Sequence, residues 1–232
     1  MAEPRAVIFD LDDTLYPLRS FVLSGFAAVA SEAAPTAGVS PARLVSTLRR
    51  ASRRARGREL QQLCDRFDWP ASDVARFIET VRRHTPRIRL PRATARVLAA
   101  LRPRWRLGVL TNGVPAIQRR KVAALGLADL VDVVVFATEC GDGTGKPDRE
   151  PFDAVLDRLG TSPERSVFVG DDLEADIAGA RRAGMRTIYV APRVRRCGGR
   201  AGIRPDARVI TLRSVPRVAE RLVTGGSGVG RV

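Results

Sequence analysis

Residues 6–15 read AVIFDLDDTL, an apolar run that leads directly into three acidic residues. A short run of this kind, bounded by polar residues, is typical of a buried parallel strand. Because strand side chains alternate between the two faces, Asp10 and Asp12 should project the same way, about 7 Å apart or less. Carboxylates this close raise each other's pKa unless a cation lies between them, and their oxygens suit Mg²⁺. The stretch predicts a metal site, the alternative being an acidic strand end that starts an ordinary loop.

The chain after Pro91 alternates between helical patterns and short β-rich runs. This alternation is typical of a parallel sheet with helices on both faces. The predicted helices cover residues 92–101, 115–125, 151–159, 173–183 and 214–222. The predicted strands cover residues 106–111, 132–137, 166–170 and 185–190, with an edge strand at 207–212. With the first strand, these elements predict an α/β fold with a doubly wound parallel sheet.

Residues 17–91 show helical periodicity and no convincing strand. The apolar positions that repeat at helical spacing are Phe21, Val22, Phe26, Val29, Leu44, Val45, Leu48, Leu60, Leu63, Cys64, Phe67, Val74, Phe77, Ile78 and Val81. We predict that this segment is a helical insert between the two parts of a core, residues 1–16 and 92–224, with a flexible tail at 225–232. The alternative is that these helices pack into the core itself.

A second apolar run, residues 107–110, ends in Thr111, Asn112 and Gly113. The hydroxyl and the amide can both donate to phosphoryl oxygens, and glycine permits close approach of the backbone. As a bare turn signal the sequence is common. The run predicts polar groups at a second strand end.

Lys146 lies in the stretch GTGKPD, residues 143–148, just before a predicted helix. A glycine-rich loop that ends in lysine invites comparison with the P-loop of nucleotide triphosphatases. That motif fails here, because Cys140 stands where its first glycine belongs and Pro147 stands where it needs Ser or Thr. The remaining alternatives are a functional lysine and a solvated loop lysine.

The strand predicted at 166–170 leads into Asp171 and Asp172, and Asp176 follows. An ordinary explanation is available, since Asp171 with Glu174 could cap a helix and acidic residues suit the first turn. The alternative is a functional site, because open α/β sheets bind ligands outside the carboxyl ends of their strands.

These four motifs, in this order, resemble those of the haloacid dehalogenase-like hydrolases, whose opening signature is D-x-D-x-T/V after a hydrophobic strand. The matching residues are Asp10, Asp12, Thr14, Thr111, Lys146, Asp171 and Asp176. The resemblance covers residues 5 to about 190 and implies a Rossmann-like core. The insert at 17–91 resembles, by position and helical character, the helical cap of many members.

The resemblance implies a role for each matching residue. Asp10 would be the nucleophile that becomes an aspartyl-phosphate, and Asp12 would be the general acid and base. Thr111, Asn112 and Lys146 would bind the phosphate group.

The resemblance also implies a metal site for Mg²⁺. Asp10, the backbone carbonyl of Asp12 and Asp171 would be its ligands, and Asp176 would support the site.

The implied function is Mg²⁺-dependent hydrolysis of a small phosphorylated metabolite. A phosphomutase with the same core chemistry is the alternative. A carbon–halogen hydrolase is disfavoured, because Asp12 supplies an acid and base that such chemistry does not need. Substrate choice should lie in the cap, with Tyr16 and Arg19 as candidates, and the sequence leaves the substrate and the oligomeric state open.

Forty Lys and Arg residues against 25 Asp and Glu give the chain a formal charge of +15. Such a charge can indicate a nucleic-acid partner. The arginines are spread along the chain, however, and aromatic residues are only 5%, so surfaces for stacking bases are scarce. We therefore expect no nucleic-acid partner, and a basic nucleic-acid-binding protein with a relic site is the remote alternative.

Three cysteines at positions 64, 140 and 197 form neither a disulfide framework nor a zinc pattern. No apolar run approaches the length of a membrane span, and the first residues lack the pattern of a signal peptide. We expect a cytoplasmic protein with no membrane partner.

Overall fold

The computed structural model describes residues 3–54, 57–191 and 202–225. The chain forms two compact units, which we call the helical unit (Leu18–Ile88) and the sheet unit (Met1–Pro17 with Arg89–Val232). The stretch 192–205, rich in arginine and glycine, is predicted from the sequence to be a loop, and its residues 192–201 lie outside the described part. Residues 226–232 of the predicted tail also lie outside it.

In the part of the chain that the structure describes, the sheet unit contains one sheet of six strands. They are β1 (Ala6–Phe9), β2 (Arg106–Thr111), β3 (Val133–Phe136), β4 (Ser166–Gly170), β5 (Arg186–Val190) and β6 (Ala207–Val209). Every neighbouring pair is parallel, and the order is β3-β2-β1-β4-β5-β6. In register, Val7 of β1 pairs with Leu107 on one side and Val167 on the other. The predicted doubly wound α/β fold is confirmed.

Residues 18–54 and 57–88, the described part of the helical unit, contain four helices: α1 (Leu18–Ala37), α2 (Pro41–Arg54), α3 (Glu59–Phe67) and α4 (Ser72–Arg83). Its core consists of Phe26, Val29, Ala30, Ala33, Leu44, Leu48, Leu63, Cys64 and Phe77. Trp69, in the α3–α4 connection, packs between Phe67 and Phe77 at ring-centroid distances of 5.1 and 5.7 Å. The apolar residues at helical spacing thus form one buried stripe on each helix, with the exception of Ile78, which is exposed.

The sheet unit has its own helices: α5 (Arg92–Leu101), α6 (Pro115–Ala124), α7 (Arg149–Leu159), α8 (Gly179–Arg182) and α9 (Val215–Thr224). Within the described ranges, no helix combines the length and apolar character that crossing a membrane requires.

Two predicted elements differ from the structure in type or by more than two residues at an end. The edge strand predicted at 207–212 ends at Val209, and residues Leu212–Ser214 form a 3-10 turn in which the Thr211 hydroxyl accepts from the N–H of Arg213. The helix predicted at 173–183 begins as a π-helix, Leu173–Ala178, before α8. Its cap is Asp172, not Asp171, because the Asp172 side chain accepts from the first free N–H groups of the turn.

The core of the sheet unit explains the apolar run that opens the chain. All four residues of β1 are fully buried, as expected for a central strand covered on both faces. On one face, Phe152 of α7 packs against Phe168 of β4 with ring centroids 5.2 Å apart. The backbone of α8 approaches the same ring, because a Cβ built on Gly179 would lie 2.7 Å from Phe152.

Replacing Gly179 by alanine sets helix propensity against packing. Alanine is the better helix former by about 1 kcal/mol. Overpacking of a filled core typically costs about 1–3 kcal/mol. We expect packing to win, so that urea denaturation of Gly179→Ala gives a lower free energy of unfolding than wild type.

The double variant Gly179→Ala/Phe152→Leu tests the assigned contact. Shortening Phe152 makes room for the new methyl group, so the double variant should lose less than the sum of the two single losses. Additive losses would show that the ring and the glycine are not in contact.

Candidate active site

Asp10 lies at the carboxyl end of the central strand. Its N–H donates to the carbonyl of Val169 on β4 at 2.9 Å, so the residue extends the sheet by one position. Its side chain is buried, with a residue exposure of 8%. Strand order reverses at β1, and the crevice outside such a reversal is where doubly wound sheets bind ligands.

Lys146 reaches Asp10 from the loop after β3. Its Nζ donates to Oδ1 of Asp10 at 2.6 Å and to Oδ1 of Asp176 at 2.7 Å. The third N–H donates to the carbonyl of Leu110 at 3.1 Å, so all three donors of the ammonium are used. The role predicted for Lys146, phosphate binding, stays a prediction; its observed partners are carboxylates and a backbone carbonyl.

Asn112 holds the loop that carries Lys146. Its Oδ1 accepts from the N–H of Lys146 and its Nδ2 donates to the carbonyl of Lys146, both at 2.8 Å. Gly145 has a positive φ of 82°, and a Cβ there would lie 2.8 Å from Oδ1 of Asn112. Only glycine fits this approach, which explains the glycine before the lysine. Asn112 therefore positions Lys146, in addition to the phosphate contact predicted for it.

Three carboxylates gather at this point. One oxygen each of Asp10, Asp171 and Asp176 lie within 4.8 Å of one another. Asp171 directly follows β4, and its Oδ1 accepts from the hydroxyl of Thr14 at 3.2 Å. Asp10 and Asp171 thus lie together, and the third carboxylate of the group is Asp176 rather than Asp12. The metal roles predicted for Asp10, Asp12 and Asp171 stay predictions.

The π-helix Leu173–Ala178 places the side chain of Asp176 in the cluster of carboxylates. The N–H groups of Asp176 and Ile177 both donate to the carbonyl of Asp172, which widens the turn. Oδ2 of Asp176 accepts from the N–H of Asp172 at 3.0 Å, and the residue is 1% exposed. A Cβ on Gly170 would lie 2.2 Å from that oxygen. Any larger residue at position 170 would displace Asp176.

Burial dominates the electrostatics of the cluster. It raises the pKa of Asp10 to about 7, with Lys146 opposing the rise and Asp176 adding to it. It raises the pKa of Asp171 to about 6, and Asp176 again adds to the rise. Burial alone would lower the pKa of Lys146, but Asp10 and Asp176 outweigh it and raise that pKa. The ammonium of Lys146 contacts two of the three carboxylates, and the oxygens of the cluster are of the kind that can hold a metal ion.

The carboxylate of Asp12 has a different cationic partner from the one expected. The sequence predicts a metal between Asp10 and Asp12, but the structure places the ammonium of Lys121 on both oxygens of Asp12, at 3.0 and 2.7 Å. The hydroxyl of Tyr16 donates to Oδ1 at 2.6 Å, and Nε2 of Gln118 donates to Oδ2 at 3.1 Å. The predicted metal contact through the backbone carbonyl of Asp12 stays a prediction.

Gln118 connects Asp12 to the end of β2. Its Nε2 also donates to the Thr111 hydroxyl at 2.6 Å and to the carbonyl of Asn112 at 2.8 Å. Thr111 is 1% exposed, so its hydroxyl belongs to this internal network. The phosphate contact predicted for Thr111 stays a prediction.

Sequence reasoning missed Lys121 and Gln118. It named Tyr16 as a candidate for substrate choice, which stays a prediction; the structure places the buried Tyr16 in the sheet unit, within the predicted core range 1–16. Burial raises the pKa of Tyr16, and the Asp12 carboxylate adds to that rise, so the phenol stays a donor. One signal could have found Lys121: the forty basic residues include only two lysines, Lys121 and Lys146. Each binds one of the two leading aspartates.

The arrangement suits nucleophilic chemistry on an anionic group. Asp10 supplies a buried carboxylate oxygen, Lys146 supplies fixed positive charge, and the acidic cluster supplies hard oxygen ligands. Asp12 stands beside this group with its own set of donors.

Sequence comparison identifies relatives over most of the chain. Residues 4–184 match the sequence model of a family described as haloacid dehalogenase-like hydrolase. A glyceraldehyde 3-phosphate phosphatase from Methanothermobacter thermautotrophicus is 32% identical over 200 residues, 80% of this chain and 85% of that protein. A phosphoserine phosphatase from Thermus thermophilus is 40% identical over 125 residues, 54% of this chain. The chain matches only 49% of that enzyme's length.

Solved structures agree with these relatives. A 2-haloacid dehalogenase from Pseudomonas syringae pv. Tomato DC3000 superposes with a TM-score of 0.64 at 28% identity, over 94% of this chain and 99% of that one. The HAD hydrolase YfnB from Bacillus subtilis superposes with a TM-score of 0.68 at 21% identity, with the same coverage, and shows the likeness of fold alone. Together, the family match and the 32% identical relative show that this chain belongs to the haloacid dehalogenase-like hydrolase family.

Proposed function

We propose that this chain is a Mg²⁺-dependent phosphatase that hydrolyses a small phosphorylated metabolite through an aspartyl-phosphate on Asp10. The observation that carries the proposal is the buried Asp10 carboxylate, held by Lys146 beside a cluster of acids at the crevice of the sheet. Two relatives, the phosphoserine phosphatase and the glyceraldehyde 3-phosphate phosphatase, act on small phosphorylated compounds, and they support the reaction class.

The donor set of the cluster fits a divalent cation. Its ligands are hard oxygens, and three carboxylates lie close to a single ammonium, that of Lys146. Asp10, Asp171 and the backbone carbonyl of Asp12 would hold Mg²⁺, since both oxygens of Asp176 already accept from other groups. When bound, the ion supplies positive charge that neutralises the phosphoryl oxygens.

The residues of the chain divide the chemistry into two displacements. An oxygen of Asp10 attacks phosphorus, and the bond between phosphorus and the leaving oxygen breaks as that oxygen takes a proton from Asp12. Asp12 then takes a proton from water, whose oxygen attacks phosphorus and frees Asp10. Lys146 holds Asp10 in place and offsets charge, which is what a loose phosphoryl transition state requires.

The helical unit, Leu18–Ile88, acts in this proposal as the cap that selects the substrate. Its place in the sequence supports this role, because it is inserted between β1 with its acidic motif and the rest of the sheet unit. A phosphomutase would use the same core, and it differs in returning the phosphoryl group to a sugar instead of to water.

Replacing the two leading aspartates separates nucleophile from proton carrier. Asp10→Asn should form no covalent phosphate, because the nucleophile is gone. Asp12→Asn should lose about 10²–10⁴-fold in turnover, the usual share of general acid–base catalysis. With an aryl phosphate whose leaving group departs without a proton, Asp12→Asn should slow hydrolysis of the aspartyl-phosphate more than its formation. This variant alone should therefore accumulate an adduct of about 80 Da, the mass of one phosphoryl group. Mass spectrometry of the peptide that contains Asp10 makes the measurement.

Asp13→Asn is the matched control, since Asp13 is an exposed carboxylate in the same loop. It should keep nearly normal turnover and form no stable adduct. An adduct on the Asp10→Asn protein, or near-normal turnover of either leading variant, would assign the chemistry to other residues. Release of inorganic phosphate, rather than an isomerised sugar phosphate, separates hydrolysis from mutase activity.

The raised pKa values predict how stability depends on pH and on metal. Asp10 and Asp171 bind more protons folded than unfolded between their ordinary pKa of 3.8 and values of about 7 and about 6. Their contribution to the free energy of unfolding therefore falls as pH rises through that window. Protons compete with Mg²⁺ for these two carboxylates, so Mg²⁺ should raise the melting temperature more at pH 8 than at pH 5. A concentration 100 times its dissociation constant adds about 2.7 kcal/mol.

Asp171→Asn tests whether the stabilisation by Mg²⁺ comes from binding at this cluster. It removes one ligand and one charge, so its melting temperature should respond little to Mg²⁺ at either pH. Scanning calorimetry of both proteins with Mg²⁺ and with chelator gives the comparison. An equal shift at pH 5 and pH 8, or a full shift in the variant, would place the ion elsewhere.

A further inference from the structure

We propose that Lys121 is a positioning residue that holds the carboxylate of Asp12 in its reactive orientation. This inference rests on the proposed phosphatase function and concerns residues that match no motif of the resemblance. Lys121 lies on α6, 109 residues from Asp12 in sequence, and it meets the site at that carboxylate.

The contact is two-sided and enclosed. Nζ of Lys121 donates to Oδ1 of Asp12 at 3.0 Å and to Oδ2 at 2.7 Å. The side chain of Lys121 is 5% exposed and that of Asp12 is 24% exposed. Because Lys121 contacts both oxygens, the Asp12 carboxylate cannot rotate about its Cβ–Cγ bond without breaking a charge-assisted hydrogen bond.

The other donors to Asp12 cannot replace this contact. Gln118 has two N–H groups at Nε2 and three oxygens within reach, on Asp12, Thr111 and Asn112. Its bond to Asp12, at 3.1 Å, is the longest of the three. Tyr16 donates a single O–H, to Oδ1. Of the three donors to Asp12 described here, Lys121 is therefore the one that engages both oxygens and brings a charge.

The use of lysine at this position also points to a specific requirement. Forty basic residues include only two lysines, and both are buried beside a leading aspartate. Arginine presents a wide planar fork, whereas lysine presents a compact charge on a thin stem. A buried ion pair is weak grounds for stability, because desolvation offsets much of the attraction. The orientation of the Asp12 carboxylate is the better explanation for the ion pair between Lys121 and Asp12.

The central variant is Lys121→Met, which keeps the length of the side chain and removes its charge and its donors. Asp12 would then be oriented by Tyr16 and Gln118 alone. We expect kcat to fall by about 10- to 100-fold, a part of the full acid–base contribution. Because Lys121 acts on the proton carrier rather than on substrate binding, KM should change by less than about 3-fold. With an activated aryl phosphate, the adduct on Asp10 should accumulate.

The double variant Asp12→Asn/Lys121→Met separates positioning from a merely structural role. If Lys121 acts through Asp12, the double variant should turn over aryl phosphate at the rate of Asp12→Asn alone. This comparison also holds if Lys121→Met fails to fold, since the double variant leaves no unpaired charge. Arg119→Met is the control, because it removes a cation from the same helix whose partner is Glu139. It should keep wild-type kcat.

Each outcome has one meaning. A further rate loss in the double variant, or wild-type kcat in Lys121→Met, would overturn the role of Lys121. The phosphoryl adduct on Asp10 tests the proposed function separately from the role of Lys121. If the wild-type enzyme never forms this adduct and Asp10→Asn stays active, the proposed function is wrong. Equal rates of the double and single variants, with an Asp10 label in Lys121→Met, support both.

Discussion

The site depends on one buried cation, the ammonium of Lys146, placed between Asp10 and Asp176. It joins the end of β1, the loop after β3 and the π-helix after β4 in a single contact. Removing one partner of such a buried set typically costs about 3–5 kcal/mol, because a charge is left without compensation. The glycines at 145 and 170 follow from this contact. Each leaves out a side chain where Asn112 or Asp176 must come close.

The parallel sheet makes that contact possible. All strands run the same way, so their carboxyl ends lie along one edge, and polar residues that follow β1, β2 and β4 meet there. The buried apolar run of β1 has no freedom to shift by one residue, since its side chains fill both faces. The position of Asp10 is thus a consequence of core packing several residues away.

The sequence predicted the parts of this molecule that depend on local patterns. The strands at 106–111 and 166–170 agree with the structure at both ends, because polar residues bound each apolar run. The contact of Lys121 with Asp12 could not be predicted, because it depends on how α6 is rotated against β1. The π-helix at Leu173–Ala178 was missed for a related reason, since only tertiary contacts of Asp176 select the wider turn. The roles given to Thr111 and Asn112 remain expectations about a bound phosphate.

The scarcity of lysine has a practical consequence for handling the protein. Its positive surface is made of arginine, whose guanidinium does not react with ordinary amine reagents, while both lysine side chains are at most 5% exposed. Acylating enzymes and amine-directed labels would therefore find no lysine target on the folded surface. A protease specific for lysine would cut only after the sheet unit opens, and so would serve as a reporter of unfolding at the catalytic edge.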